Sequence, residues 1–206
     1  MKPDGNLDLR TELDRFHEWT RQTTGSAQEW DIEYPDWHTL TGAAQDALRR
    51  SSLDSEEVLS LLEVLALDHE AETLRDALVK APELGILLAR SALTYPRADA
   101  RWQLAGFLGT RSEPEAVALL RRYMEDSDEY VRRRALLAAQ HNDSAFAESV
   151  AARWLTAEHE YSRLAALSVL SELPSPQLAA ALDALRDDPS EMIRSKVAEL
   201  RRVRSA

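Results

Sequence analysis

The segment "EYVRRRALLA" (residues 129–138) belongs to a pattern that recurs along the chain at a fixed interval. Comparable segments are "DARWQLAGFL" (99–108), "EYSRLAALSV" (160–169) and "EMIRSKVAEL" (191–200). The four arginines that align them are spaced 31 residues apart, and they are Arg101, Arg132, Arg163 and Arg194. A constant period of this length predicts one supersecondary unit repeated along the chain.

The residues around each arginine predict an α-helix. The positions one before, three after and six after the arginine are apolar in eleven of twelve cases. These positions form the i, i+4, i+7 stripe of a helix that buries one face. The twelve residues are Ala100, Leu104, Phe107, Val131, Ala135, Ala138, Ser162, Ala166, Val169, Ile193, Val197 and Leu200.

A second helix is predicted upstream of each arginine helix. Pro82, Pro114, Ala145 and Pro176 follow nearly the same period. Proline suits the first helical turn, because that turn does not need its backbone N–H. Each unit therefore reads as helix, turn, helix, and such a unit buries its apolar faces only by stacking on its neighbours.

These paired helices resemble HEAT repeats, most clearly over residues 82–203. The best matches are "EDSDEYVRRRALLAA" (125–139) and "DDPSEMIRSKVAEL" (187–200), with an aspartate in the turn and then V/I-R in the second helix. The resemblance implies that Asp126 and Asp188 pair with turn and arginine groups in the stack. The third unit departs from the pattern, because Ala157 replaces the turn aspartate and Ser162 replaces the apolar residue.

We therefore predict an all-α fold, an α-α superhelix of about five to six helix pairs in one domain spanning residues 1–206. Residues 1–50 would form an atypical amino-terminal cap, 51–81 an irregular helix pair, and 82–206 four HEAT-like repeats. The cap would begin with an amphipathic helix that carries Leu9, Leu13 and Phe16 on one face.

Composition narrows the functional classes. The chain has no cysteine, which removes disulfides, thiolate catalysis and Cys-ligated zinc. It shows neither a signal peptide nor an apolar run long enough to span a bilayer, so we expect a cytoplasmic protein without a membrane partner. The net charge is −11, and residues 1–80 hold 18 Asp/Glu against 8 Lys/Arg. Such a surface repels nucleic acid and attracts a basic partner, and the alternative interpretation is that the charge serves solubility alone.

The stretch "EWDIEYPDW" (29–37) concentrates aromatic and acidic residues in the connection between the first two predicted helices. One interpretation is a lid, in which Trp30, Tyr34 and Trp37 cover the open end of the solenoid. The other is a partner-binding patch, since Trp and Tyr are enriched at binding hot spots. We expect Trp37 to be buried and at least one other ring to stay exposed. The predicted partner-binding residues are Glu29, Trp30, Asp31, Glu33, Tyr34 and Asp36.

Two enzymatic interpretations carry less weight. The His-Glu pairs at 17–18, 69–70 and 159–160 resemble the iron ligands of the HEAT-repeat enzyme deoxyhypusine hydroxylase, but they do not share one register. HEAT-like alkylpurine DNA glycosylases use a basic concave face, which an isoelectric point near 5.0 does not favour. We therefore predict no catalytic residue, metal or cofactor.

The leading hypothesis is a non-enzymatic binding protein that presents a solenoid surface to another protein. The acidic amino-terminal third favours a partner with a basic surface, such as a toxin neutralised by a bacterial immunity protein. The excess of Arg over Lys, 22 to 3, suggests a GC-rich bacterial source. A DNA-repair protein and an assembly scaffold or chaperone are the alternatives.

Overall fold

The computed structural model describes residues 8–23 and 34–205, and within these ranges every regular element is an α-helix. The prediction of an all-α fold is confirmed. In chain order the helices are α1 Leu9–Gln22, α2 Trp37–Ala47, α3 Ser55–Leu67, α4 Thr73–Leu78, α5 Pro82–Ala92, α6 Ala98–Leu108, α7 Pro114–Tyr123, α8 Glu129–Ala139, α9 Ser144–Trp154, α10 Glu160–Glu172, α11 Leu178–Ala184 and α12 Glu191–Ser205.

The helices group into two compact units, Met1–Phe107 and Leu108–Ala206. In the second unit α7 packs on α8, α9 on both α8 and α10, and α11 on both α10 and α12. The second helices of successive pairs also contact each other, α8 with α10 and α10 with α12. The second unit is therefore a row of stacked helix pairs, while a single solenoid domain over residues 1–206 stays a prediction.

The apolar stripe is buried as the period predicts. Eleven of its twelve residues are less than 9% exposed, including Ser162 at 6%, and only Leu200 is half-buried. Burial of this stripe supplies hydrophobic free energy to the packing of the second helices. The aligned arginines therefore mark the buried faces of the second helices correctly.

The first residues of the helices agree in part with the positions that the sequence predicts. Asp54 and Glu57 form a reciprocal capping box at α3, and Pro82 and Pro114 are the first residues of α5 and α7. By contrast, α11 begins at Leu178, two residues after Pro176.

The first unit begins with α1, which packs on α2 and α3. Leu9, Leu13 and Phe16 are buried, as the amphipathic pattern predicts. Trp37 is only half-buried, so the expectation of a buried ring there is wrong. As the first residue of α2, Trp37 lies at the end of the stripe that Leu40 continues into the core.

Candidate functional site

The predicted amino-terminal patch lies mostly outside the described residues, and Glu29, Trp30, Asp31 and Glu33 all fall there. Asp36 is exposed immediately before α2. Tyr34, in contrast, is only 4% exposed. Of the proposed contact residues that the structure describes, Asp36 is therefore at the surface and Tyr34 is in the core.

Tyr34 covers the inner face of α1. Its ring centroid lies 5.2 Å from that of Phe16, edge to face, and 5.2 Å from that of Trp19. Burial raises the pKa of the Tyr34 phenol, and the carboxylates of Asp36 and Glu12 add to this effect. The ring is therefore packed against α1, and its burial leaves little surface for a partner.

The four repeat arginines make the same contact in each repeat. Each donates from Nη1 to the carbonyl oxygens five and six residues earlier, in the turn between the paired helices. The distances to the carbonyl oxygen six residues earlier are 2.6 Å from Arg101 to Tyr95 O, 2.6 Å from Arg132 to Asp126 O, 2.8 Å from Arg163 to Ala157 O, and 2.7 Å from Arg194 to Asp188 O. Carbonyl oxygens at a helix end lack intrahelical partners, and the guanidinium group supplies donors for them.

The resemblance implied that Asp126 and Asp188 pair with turn and arginine groups, and the structure shows which atoms take part. Arg132 and Arg194 bond the backbone of those aspartates, whereas the Asp126 carboxylate accepts the N–H of Asp128 at 2.8 Å. The HEAT-like pattern did not predict that the arginine side chains bond the backbone of their own turn. The pattern specifies residue types, but not which atom of the aspartate accepts the hydrogen bond.

A buried ion pair joins the last two helix pairs. Arg163 donates Nε and Nη2 to the two carboxylate oxygens of Asp188, at 2.8 and 2.7 Å. Both residues are less than 9% exposed. The hydrogen bonds from Arg163 lower the pKa of Asp188, and those same bonds raise the pKa of Arg163. Since its donors are engaged, Arg163 is poorly placed to bind a phosphate backbone.

A tyrosine–arginine stack lies on the surface of the second unit, and we define it as Tyr130, Arg133 and Tyr161. The Arg133 guanidinium carbon lies 4.9 Å from the Tyr130 ring centroid and 5.1 Å from that of Tyr161. The two tyrosines are 39% and 43% exposed. The stack spans α8 and α10, so it depends on the packing of two helix pairs.

Glu129 holds this stack in place. It accepts the Nε–H of Arg133 at 2.9 Å and the hydroxyl of Ser162 at 2.5 Å. Burial alone would raise the pKa of Glu129, but the hydrogen bonds from Ser162 and Arg133 lower it on balance. Glu129 therefore stays ionised near neutral pH and fixes the guanidinium between the rings.

Two concave surfaces adjoin the stack. An open notch of about 400 Å³ is lined by Glu158, His159 and Glu160, and the His159 ring lies 5.5 Å from that of Tyr161. A groove of about 430 Å³ between α10 and α12 includes Leu164, Ser168 and Met192 in its lining. Together with the stack they form a surface that combines exposed rings, a recess and acidic side chains.

Sequence reasoning missed this surface, although a signal for it was present. Tyr130 and Tyr161 are 31 residues apart, each two residues before its repeat arginine. The same column continues to Met192 in the next repeat. These positions lie off the buried stripe, so large side chains recurring there indicate an exposed apolar column.

The first unit contains a larger cleft, of about 730 Å³, between the end of α2, α4 and the start of α5. Two of its basic residues are paired at its rim, Arg49 with Asp46 and Arg50 with Glu57. Its lining mixes both charges and has no exposed ring, so it resembles a hot spot less than the stack does.

The histidines do not converge. His17 Nε2 lies 2.7 Å from Glu63 Oε1, whereas His159 Nδ1 lies 3.8 Å from Glu129 Oε1. Within residues 8–23 and 34–205, no group of three or more His, Cys, Asp or Glu side chains is arranged to hold a metal ion.

No helix in the described part of the chain combines the length and apolar character that crossing a membrane requires. No protein-family model matches the chain, and no curated protein matches it. The resemblance to HEAT repeats therefore stays a prediction from the residues quoted above.

Proposed function

We propose that this chain is a non-enzymatic protein-binding module built from HEAT-like repeats. The observation that carries the proposal is the tyrosine–arginine stack, in which two exposed tyrosines are held in place by Arg133. Tyr and Arg are among the residues that contribute most to protein–protein binding energy.

The arrangement of the stack favours binding over a purely structural role. Arg133 is held by Glu129, so the aromatic surface is organised before a partner arrives. A partner would then pay less side-chain entropy for ordering this part of the interface.

The charge of the chain supports a basic partner. The whole chain carries −11, most of it in residues 1–80. The negative electrostatic field of such a chain speeds the association of a positively charged protein and disfavours the binding of nucleic acid. A bacterial immunity protein that neutralises a basic toxin is the specific role that fits this charge and small size.

The test is capture of binding partners from the source cell by the full tagged chain, followed by calorimetry with the purified partner. We expect Tyr130→Ala/Tyr161→Ala to lose the partner, while Leu59→Ala, which removes an exposed side chain from α3, retains it. A third variant changes Trp30 to alanine and Glu29, Asp31, Glu33 and Asp36 to their amides. Tyr34 stays unchanged in it, because replacing a buried ring would confound folding with binding.

The proposal is wrong if the wild-type chain recovers no protein that binds again after purification. It is also wrong if the chain shifts DNA or RNA at physiological salt and that complex dissociates as salt rises, since this behaviour indicates phosphate binding.

A further inference from the structure

We infer that the exposed face of α10 binds a basic segment of the partner, with an arginine or lysine side chain seated in the notch of Glu158, His159 and Glu160. This inference rests on the proposed protein-binding function and specifies its site and ligand chemistry. The face runs from the notch through Tyr161 and Leu164 to Ser168.

The face is continuous along one side of the helix. Tyr161, Leu164 and Ser168 follow the i, i+3, i+7 spacing, which places them above one another. Tyr161 is exposed, and Leu164 and Ser168 are half-buried beside the groove against α12. Since a helix rises about 1.5 Å per residue, the face is roughly 10 Å long from Tyr161 to Ser168, enough for three or four residues of an extended peptide.

The charges of this face select a basic ligand. Its positive groups are already engaged, since Arg133 bonds Glu129, Lys196 bonds Glu199 at 2.9 Å, and Arg163, which interacts electrostatically with Glu160, bonds Asp188. The Glu158 carboxylate makes no hydrogen bond or ion pair with any residue the structure describes. Glu160 accepts the Ser190 hydroxyl, which leaves its charge in place.

An arginine or lysine fits both parts of the site. Its charged end would meet the two glutamates, while its methylene stem would lie along the part of Tyr161 that Arg133 and His159 leave exposed, as long basic side chains lie along apolar surfaces. A second copy of this chain fits poorly, because two molecules of charge −11 repel each other.

The test selects random twelve-residue peptides, displayed on phage, against the full wild-type chain. The strongest peptides are synthesised with a fluorescent label, and their Kd is measured by anisotropy. We expect more Arg and Lys in the selected peptides than in the starting library. We also expect Kd to rise about tenfold in Glu158→Gln/Glu160→Gln and in Tyr161→Ala, as for loss of a charged contact in an interface.

The matched control is Asp14→Asn/Glu83→Gln, which removes two negative charges from exposed positions in α1 and α5, away from the face of α10. It should leave Kd unchanged, so that loss of net charge alone is separated from loss of the site. Melting curves must show that all variants fold as the wild type does.

Selected peptides that are neutral or acidic would overturn the inference, as would basic peptides whose Kd is the same in the site variants and the wild type. In those cases protein binding can still stand, if the source-cell partner is captured and its binding depends on other residues. If neither a peptide nor a cellular protein binds the wild-type chain, the proposed function itself is wrong.

Discussion

Arg132 and Arg163 occupy the same register in successive helix pairs, yet only Arg163 reaches a carboxylate. Both donate to two carbonyl oxygens of their own turn. Twenty-five residues after Arg163 stands Asp188, whereas the same distance after Arg132 stands Ala157. Arg163 is 8% exposed and Arg132 is half-buried.

The comparison separates two stabilising contacts that the HEAT-like pattern presents as one. The carbonyl contact closes the turn within a pair and recurs at all four arginines. The carboxylate contact joins one pair to the next, and it depends on an aspartate in the following turn. An arginine can therefore keep the first contact where the second is lost.

The largest effect is expected from Asp188→Ala. It removes both carboxylate contacts of Arg163, leaves a buried charge without its partner, and removes the acceptor for the Ser190 N–H. We expect a loss of about 3 kcal/mol in the free energy of unfolding, measured by urea denaturation. Asp187→Ala is the control, because Asp187 is exposed and should leave stability unchanged. Equal stability of the two variants would contradict a structural role for the pair.

The same carboxylate should make stability depend on pH in the acid range. The pKa of Asp188 is lowered in the folded chain, while an unfolded aspartate has a pKa of about 3.9. As pH falls below about 4, the unfolded state binds the proton first, so the free energy of unfolding decreases toward the lowered folded pKa. Urea denaturation of the wild type and Asp188→Asn from pH 7 to pH 3 should show their difference narrowing. A constant difference would contradict the pairing.

A smaller effect is expected from Arg132→Ala. The substitution removes the hydrogen bonds from Arg132 to the Asp126 and Ser127 carbonyl oxygens, but it leaves no carboxylate without its partner. We expect a loss of about 1.5 kcal/mol, the lower end for hydrogen bonds from a charged group. Arg163→Ala, measured in parallel, should cost clearly more, because Asp188 then keeps its buried charge. Equal losses would show that the cross-pair contact contributes little.

Sequence periodicity predicted the helices and their buried faces because both depend on local spacing. Burial of the stripe from Val131 to Ala138 can be predicted without knowing the partner helix, because the prediction requires only that one face of the helix is apolar. Choice of hydrogen-bond partner is different, since it depends on which groups the fold brings together. Asp143 illustrates this: it stands before α9 as a capping residue should, but its carboxylate accepts from Arg121 at 2.8 and 2.6 Å instead.

For the candidate site, too, some features could be predicted from the sequence and others depend on the fold. Aromatic density drew attention to residues 29–37, yet density does not say which ring is covered, and Tyr34 proved to be buried against Phe16. The tyrosine–arginine stack joins Tyr130 and Tyr161 across two helices. Its repeat spacing was readable, but the guanidinium between the rings follows only from the packing of α8 on α10.

The smallest expected effect restores the missing contact. Ala157→Asp places a carboxylate in the turn position that Asp188 occupies one repeat later, within reach of Arg132 if the two turns share one geometry. The carbonyl of residue 157 can still accept from Arg163, because that contact uses the backbone. Since Arg132 is half-buried, we expect a gain of only about 0.5–1 kcal/mol. The measurement is a double-mutant cycle of Ala157→Asp with Arg132→Ala in urea. A gain that persists without Arg132 would show that the new aspartate stabilises its own turn, in the way that the Asp126 carboxylate accepts the Asp128 N–H, and that the two arginines differ for another reason.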